Sequence, residues 1–224
     1  MTRKFSIEAD GAAAARAALE RVVGSGGVAV FPADGLYGLA CDPLRAQAIE
    51  RIDALKGRDE GKPSAVLYFS PLAMRELISS LGPRTREAIG ALLPGPVTLV
   101  VANPERRYPL ACRENPERLG VRLIGGPLAG AMCPVLQTSA NRAGEPPARR
   151  FEDLEASIVA GADLAIDGGE LGGSPSTVVD LTGFERAERP VVLREGALPA
   201  AGLSRRLAQI PGPDTPPRGA GSRR

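Results

Sequence analysis

The stretch Val28-Ala29-Val30-Phe31-Pro32-Ala33-Asp34-Gly35-Leu36-Tyr37-Gly38-Leu39-Ala40-Cys41-Asp42-Pro43 carries the signals that set the fold class. The apolar run Val28 to Phe31 stops at Pro32 and reads as a short buried strand. A loop holding Gly35 and Gly38 follows. Asp42-Pro43 then reads as an N-cap with proline at the first helical position. That opens a helix to about Lys56, with Leu44, Ala48, Ile52 and Leu55 at helical spacing. A glycine-containing loop between a strand and a helix lets backbone amides approach an anion or a small ligand. The same glycines serve equally well as ordinary turn residues.

The same alternation recurs on either side. Upstream, the Ala- and Leu-rich run 12–23 ends at Gly24 and reads as a helix. Downstream, 65–69 reads as a strand, 70–81 as a helix and 83–93 as a helix opened by Pro83. Pro94-Gly95-Pro96 is a turn before a strand at 97–101. Further strands are expected at 119–124, 135–138, 164–166, 177–181 and 191–193, with a helix at 151–160. Interleaved helices and fully apolar strands predict an α/β fold with a mixed sheet covered by helices.

Composition narrows the chemistry. The 224 residues are 43% apolar and 24% charged, as in an ordinary globular chain. No apolar run approaches the ~18 residues that span a bilayer. Glu8 and Asp10 stand where a signal peptide would be apolar, so neither a signal peptide nor a membrane anchor is expected and the expected location is cytoplasmic. Cys41, Cys112 and Cys133 are widely spaced and read as free thiols. There is no histidine at all. Ser-His-Asp and Cys-His catalysis are therefore excluded, as are histidine metal sites. No protein metal site is expected.

The net charge of +2 is uneven. Residues 204–224 hold Arg205, Arg206, Arg218, Arg223 and Arg224 against Asp214, which leaves the body slightly acidic. From Pro211 onward the sequence is rich in Pro, Gly and Arg. The expected organisation is one domain over 1–203 and a flexible tail over 204–224.

Several clusters have the makings of a site. Lys56-Gly57-Arg58 with Lys62-Pro63 gathers three cations at a helix end, suited to phosphate, although cations also match the helix dipole there. Gln137-Thr138-Ser139-Ala140-Asn141 ends a strand in hydroxyl and amide groups, which suit a nucleotide or an amino acid and also suit a plain loop. Ser174-Pro175-Ser176-Thr177 puts hydroxyls at a strand start. Arg122 sits inside an apolar strand, where a charge needs a partner or a task. Arg194-Glu195-Gly196 closes the last strand. No Walker A and no GxGxxG sequence is present.

Their order is more specific than any one of them. Pro-x-Asp-x-x-Tyr-Gly-Leu (32–39) leads, followed by Lys-Gly-Arg with Lys-Pro (56–63) and Leu-Pro-Gly-Pro-Val-Thr-Leu-Val (93–100). Then come Val-Arg-Leu (121–123), Ser-Ala-Asn-x-x-Gly (139–144), Ser-Thr-Val-Val-Asp (176–180) and Leu-Arg-x-Gly (193–196). From about residue 20 to 198 this series resembles the YrdC-like threonylcarbamoyl-AMP synthase family, in its short single-domain form. The resemblance implies a twisted mixed sheet around a positively charged cavity. It implies an enzyme, a nucleotidyltransferase, that makes threonylcarbamoyl-adenylate from threonine, bicarbonate or carbon dioxide, and ATP, releasing pyrophosphate. The product serves threonylcarbamoyladenosine modification of tRNA, with downstream transferase proteins as partners.

The resemblance also assigns residues. Lys56 and Arg58 would be catalytic and face the ATP phosphates, with Lys62, Ser139, Asn141, Ser176 and Arg194 completing the nucleotide site. Ala33, Asp34, Gly35, Tyr37, Arg122 and Thr138 would border the amino-acid substrate. Mg2+ would enter on the ATP phosphates. The chemistry is consistent with a histidine-free chain, because adenylation needs charge stabilisation rather than a protein nucleophile.

The sequence departs from the family pattern on the amino-acid side. Ala33 and Gly35 stand where threonines are usual, Val121 to Pro127 lacks a usual proline and histidine, and Pro175 replaces a glutamate. A lost hydrogen bond to a charged group is worth about 1.5–3 kcal/mol. Two other readings therefore stay open: an adenylate-forming enzyme with another acceptor, and a non-catalytic double-stranded RNA- or tRNA-binding protein.

Overall fold

The computed structural model describes residues 1–57 and 62–210. Ten strands form one sheet: β1 (Arg3–Ser6), β2 (Ala29–Ala33), β3 (Leu36–Cys41), β4 (Ala65–Tyr68), β5 (Val97–Ala102), β6 (Arg118–Leu123), β7 (Val135–Ser139), β8 (Leu164–Asp167), β9 (Thr177–Asp180) and β10 (Val191–Arg194). Their spatial order is β1-β8-β2-β3-β7-β4-β6-β5-β9-β10. The pairs β1–β8, β2–β8, β4–β6 and β5–β9 are parallel, and the rest are antiparallel, so the sheet is mixed as expected. The helices are α1 (Ile7–Asp10), α2 (Ala12–Gly24), α3 (Ala46–Lys56), α4 (Arg75–Ser79), α5 (Pro83–Leu92), α6 (Pro109–Cys112), α7 (Ala156–Gly161) and α8 (Ala200–Leu207).

Both faces of the sheet are covered, and the strand sequences show why. Along β2 and β3 every residue is buried. Val30, Tyr37, Leu39 and Cys41 point into one core with α3, α5, α7 and α8. Ala29, Phe31, Ala33 and Ala40 point into the other, beneath α2. Side chains alternate between the faces with period two, so a strand covered on both sides must be apolar throughout. Among the described residues no helix is long and apolar enough to cross a membrane.

Several expectations fail for local reasons. Residues 36–41 are not a loop but β3, paired with β2 across the tight Asp34-Gly35 turn. Asp42 does not cap a helix. Its Oδ1 accepts the Leu44 amide at 2.9 Å, and the helix starts later, at Ala46. Of the expected helix 70–81, only Arg75–Ser79 is α-helical. The expected helix 151–160 splits into a 3₁₀ turn at Phe151–Asp153 and α7. Strand β1 was not expected, because Arg-Lys-Phe-Ser lacks an apolar run, and it lies at the sheet edge where burial is light. Helix α8 crosses the expected domain end at 203. Leu203 and Leu207 are both buried and Ile210 packs on the same core. Residues 211–224 of the expected tail lie outside the described residues.

Candidate functional site

The β2–β3 turn is the rim from which the site is built. Ala33 pairs with Leu36, so Asp34 and Gly35 must reverse the chain by themselves. Asp34 takes φ 62°, a left-handed conformation that an aspartate tolerates better than most side chains. Gly35 is required by contact rather than by its backbone angles. A Cβ there would lie 2.4 Å from the Ser174 carbonyl oxygen, and the Gly35 carbonyl accepts the Gly173 amide at 2.7 Å. The turn is thus clamped against the 173–174 segment.

Below the turn lies a cavity of about 690 Å³. Its walls come from the β2–β3 hairpin, the C-terminal end of α3, strands β5, β6 and β7, the 174–176 segment and the end of β10. Of the expected site residues, Ala33, Asp34, Tyr37, Lys56, Lys62, Arg122, Thr138, Ser139, Asn141, Ser176 and Arg194 all line it. Gly35 does not line it and acts in the turn behind it. Arg58 lies outside the described residues. The charged groups on the wall are Lys56, Lys62, Arg118, Arg122 and Arg194, with Asp34 the one carboxylate among the described residues.

Arg122 is buried in the cavity wall with two side-chain partners. It is 6% exposed. It donates from Nη2 to Asp34 Oδ2 and from Nη1 to Gln137 Oε1, each at 2.9 Å. Its Nε has no partner among the described residues. Burial pulls the guanidinium pKa down, Asp34 opposes that, and the nearby Arg194 adds to it. For Asp34, burial raises the carboxyl pKa and outweighs the opposing Arg122 charge and hydrogen bond. Arg194 donates through Nη2 to the Ser176 carbonyl at 2.8 Å and to Ser176 Oγ at 3.2 Å. Ser176 Oγ also bonds Thr98 Oγ1 at 2.8 Å. One cation is therefore fixed by a carboxylate and another by the carbonyl just before β9, which pre-orients both toward the cavity.

Two residues occupy the wall in a way the sequence did not suggest. Lys56 is 5% exposed, and its Nζ donates to the carbonyls of Ser139 at 2.5 Å and Asn141 at 2.7 Å. It ties the end of α3 to the loop after β7. Tyr37 spends its hydroxyl behind the wall: it donates to the Gly169 carbonyl at 2.8 Å and accepts the Gly168 amide at 3.0 Å. Desolvation raises its pKa to about 12, so it stays a neutral phenol.

Sequence reasoning gave no site role to Arg118, Asn115 or Ser64, and named Gln137 and Thr98 only as members of a cluster and a motif, yet all five also line the cavity. Gln137 and Thr98 had a usable signal, since each is a polar side chain inside an apolar strand. Arg118, Asn115 and Ser64 had none, because polar residues at strand ends and in loops are commonplace. Arg118 is held by an ion pair with Asp180.

The chain matches the family Sua5/YciO/YrdC, described as "Telomere recombination", over residues 21–196. It is 36% identical over 154 residues to the threonylcarbamoyl-AMP synthase of Nitrosococcus oceani, covering 66% of this chain and 82% of that protein. It is 35% identical to the threonylcarbamoyl-AMP synthase of Chromohalobacter salexigens, covering 81% and 98%. Among solved structures it is similar to P. abyssi Sua5 complexed with L-threonine, at TM-score 0.76 and 25% identity. That likeness covers 94% of this chain, which spans only 62% of that protein's length. E. coli YciO aligns at TM-score 0.72 and 28% identity, covering 88% and 97%.

Proposed function

The chain belongs to the Sua5/YciO/YrdC family, and from that premise we propose that it is a threonylcarbamoyl-AMP synthase. It joins L-threonine, bicarbonate or carbon dioxide, and ATP into threonylcarbamoyl-adenylate, with release of pyrophosphate. One observation carries the reading: a single cavity gathers nearly every described residue that the motif series singles out. The curated relatives named for this activity align over most of the chain, which supports it.

The reaction has two parts. The threonine nitrogen takes up the carbon dioxide carbon, giving a carbamate. A carbamate oxygen then attacks the α-phosphorus, and pyrophosphate leaves. Both parts gather negative charge, so fixed cations are the main requirement. Arg194, Lys62 and Arg58 are assigned to the phosphates. Arg122 and Asp34 are assigned to the amino acid. Lys56 is assigned to holding the Ser139–Asn141 loop against the nucleotide. Mg2+ would arrive on the ATP phosphates, as is usual for phosphoryl and nucleotidyl transfer. The chain would work in the cytoplasm and pass its adenylate to a transferase acting on tRNA. Direct contact with RNA is a further arm of this reading.

The test is a reaction of the purified protein with ATP, Mg2+, bicarbonate and threonine, followed by pyrophosphate release and the mass of the adenylate. Product that needs both threonine and bicarbonate, and is lost in Arg58→Ala and Arg194→Ala, is the expected result. The absence of threonine hydroxyls at Ala33 and Gly35 favours one second reading, the same chemistry on another acceptor. Product with a different amino acid but none with threonine would select it.

A further inference from the structure

Carbamate formation requires a base, and nothing assigned so far supplies one. The amino group of an α-amino acid is an ammonium near neutral pH and has no lone pair to offer. After it loses that proton and bonds carbon dioxide, the nitrogen must shed one more. With no histidine in the chain, the acceptor is either the substrate itself or a protein carboxylate, phenol, thiol or lysine. Tyr37 and Cys112 line the cavity, and burial raises the pKa of the Tyr37 hydroxyl, to about 12, and of the Cys112 thiol, so both stay protonated. The Tyr37 hydroxyl is also directed at the 168–169 segment. Lys56 sits on backbone carbonyls. Asp34 remains.

Resting on the synthase reading, we propose that Asp34 is the general base of the carboxylation step, taking a proton from the acceptor nitrogen through the carboxylate oxygen that Arg122 leaves open. Three observations carry this. Asp34 is the one carboxylate on the cavity wall among the described residues. Its Oδ2 is engaged by Arg122 Nη2 at 2.9 Å, and no partner among the described residues holds Oδ1. It is also held at φ 62° in a turn clamped by Gly35 and the 173–174 segment, a conformation that costs free energy and is common where a side chain must be aimed.

The charged groups that line the cavity with Asp34 are Arg118 and Arg122 from β6 and Arg194 from β10, with Lys56 at the end of α3 and Lys62 beyond it. Arg122 fixes the carboxylate plane. Burial raises the Asp34 pKa, and a more basic carboxylate is a better proton acceptor. The step balances simply. Asp34 takes the ammonium proton and passes it to water, the freed nitrogen pair forms the N–C bond as the C=O pair moves onto oxygen, and the second nitrogen proton leaves by the same route from Asp34 to water. The new oxygen anion is the nucleophile for the α-phosphorus.

The experiment compares wild type with Asp34→Asn and Asp34→Ala in adenylate formation, with threonine binding measured separately by calorimetry. A general base contributes roughly 10²–10⁴-fold. The expected result is a fall in kcat of that order in both variants, with threonine KM changed by less than about threefold. Formate should restore part of the Asp34→Ala rate. The acid limb of the wild-type kcat profile should lie above pH 3.8, the ordinary carboxyl value, and vanish in Asp34→Asn. A variant that keeps its kcat and loses threonine affinity would overturn the base role and leave Asp34 a binding group. So would unchanged activity across pH. A wild type that makes no adenylate with any acceptor would overturn the functional reading itself, and the base role with it.

Discussion

At the scale of single residues, Lys56 and the cysteines give opposite lessons about buried polar groups. The Lys56 ammonium is buried and bonded to the carbonyls of Ser139 and Asn141. Charged hydrogen bonds of this kind contribute about 1.5–3 kcal/mol, so Lys56→Ala should destabilise the protein by at least ~2 kcal/mol. Urea unfolding of the variant checks this, and an unchanged midpoint would return Lys56 to a purely phosphate-binding role. Activity should fall as well, because the Ser139–Asn141 loop loses its tether. For the cysteines, burial pushes Cys41 up to about 12 and Cys133 to about 11, and raises Cys112 too. A thiol with a raised pKa stays protonated well above neutral pH, and the thiol is a poor nucleophile. Iodoacetamide at pH 7.5 should leave all three unmodified in the folded protein and alkylate all three in urea, as read by mass. The sequence exposed Arg122 as a charge in an apolar strand. It could not say that Asp34, many residues away in sequence, is the partner, because that pairing exists only once β2, β6 and β7 share a sheet.

At the scale of elements, the β2–β3 hairpin is the decisive unit. Its glycines read as loop residues, and the run 36–41 reads neither as alternating nor as bounded by turns. The strand is legible only through its neighbours, since β3 pairs with both β2 and β7. A buried strand with partners on both edges tolerates glycine that an isolated strand would not. The same element explains Gly35. Restoring the usual hydroxyl by Gly35→Thr would place Cβ 2.4 Å from the Ser174 carbonyl oxygen, and backbone atoms cannot yield cheaply. Overpacking of this kind costs about 1–3 kcal/mol. Gly35→Thr should therefore lower the unfolding midpoint and reduce, not raise, the rate with threonine. A faster enzyme would mean that the 173–174 segment can retreat and that the hydroxyl alone was missing.

At the scale of the molecule, the ten-stranded sheet brings β2, β6, β7 and β10 to one cavity although they are spread over most of the chain. Helix α8 closes one face of it by burying Leu203 and Leu207. A chain ending at residue 203 removes Leu207 and Ile210 from that core. Fully burying a leucine contributes about 1.5–3 kcal/mol. Such a chain should unfold at lower urea than one ending at residue 210, and equal midpoints would show that α8 is dispensable.

What the sequence determined alone was the set of local signals: apolar strands, an α/β alternation, the absence of imidazole chemistry, and the ordered motifs of a family. These are properties of short windows, where period and composition suffice. What only the tertiary structure decided was pairing. It joined Arg122 to Asp34 and Gln137, put Ser174 against Gly35, and turned Lys56 onto backbone carbonyls. Each of these depends on distances between segments far apart in the chain, and no window of sequence contains those distances.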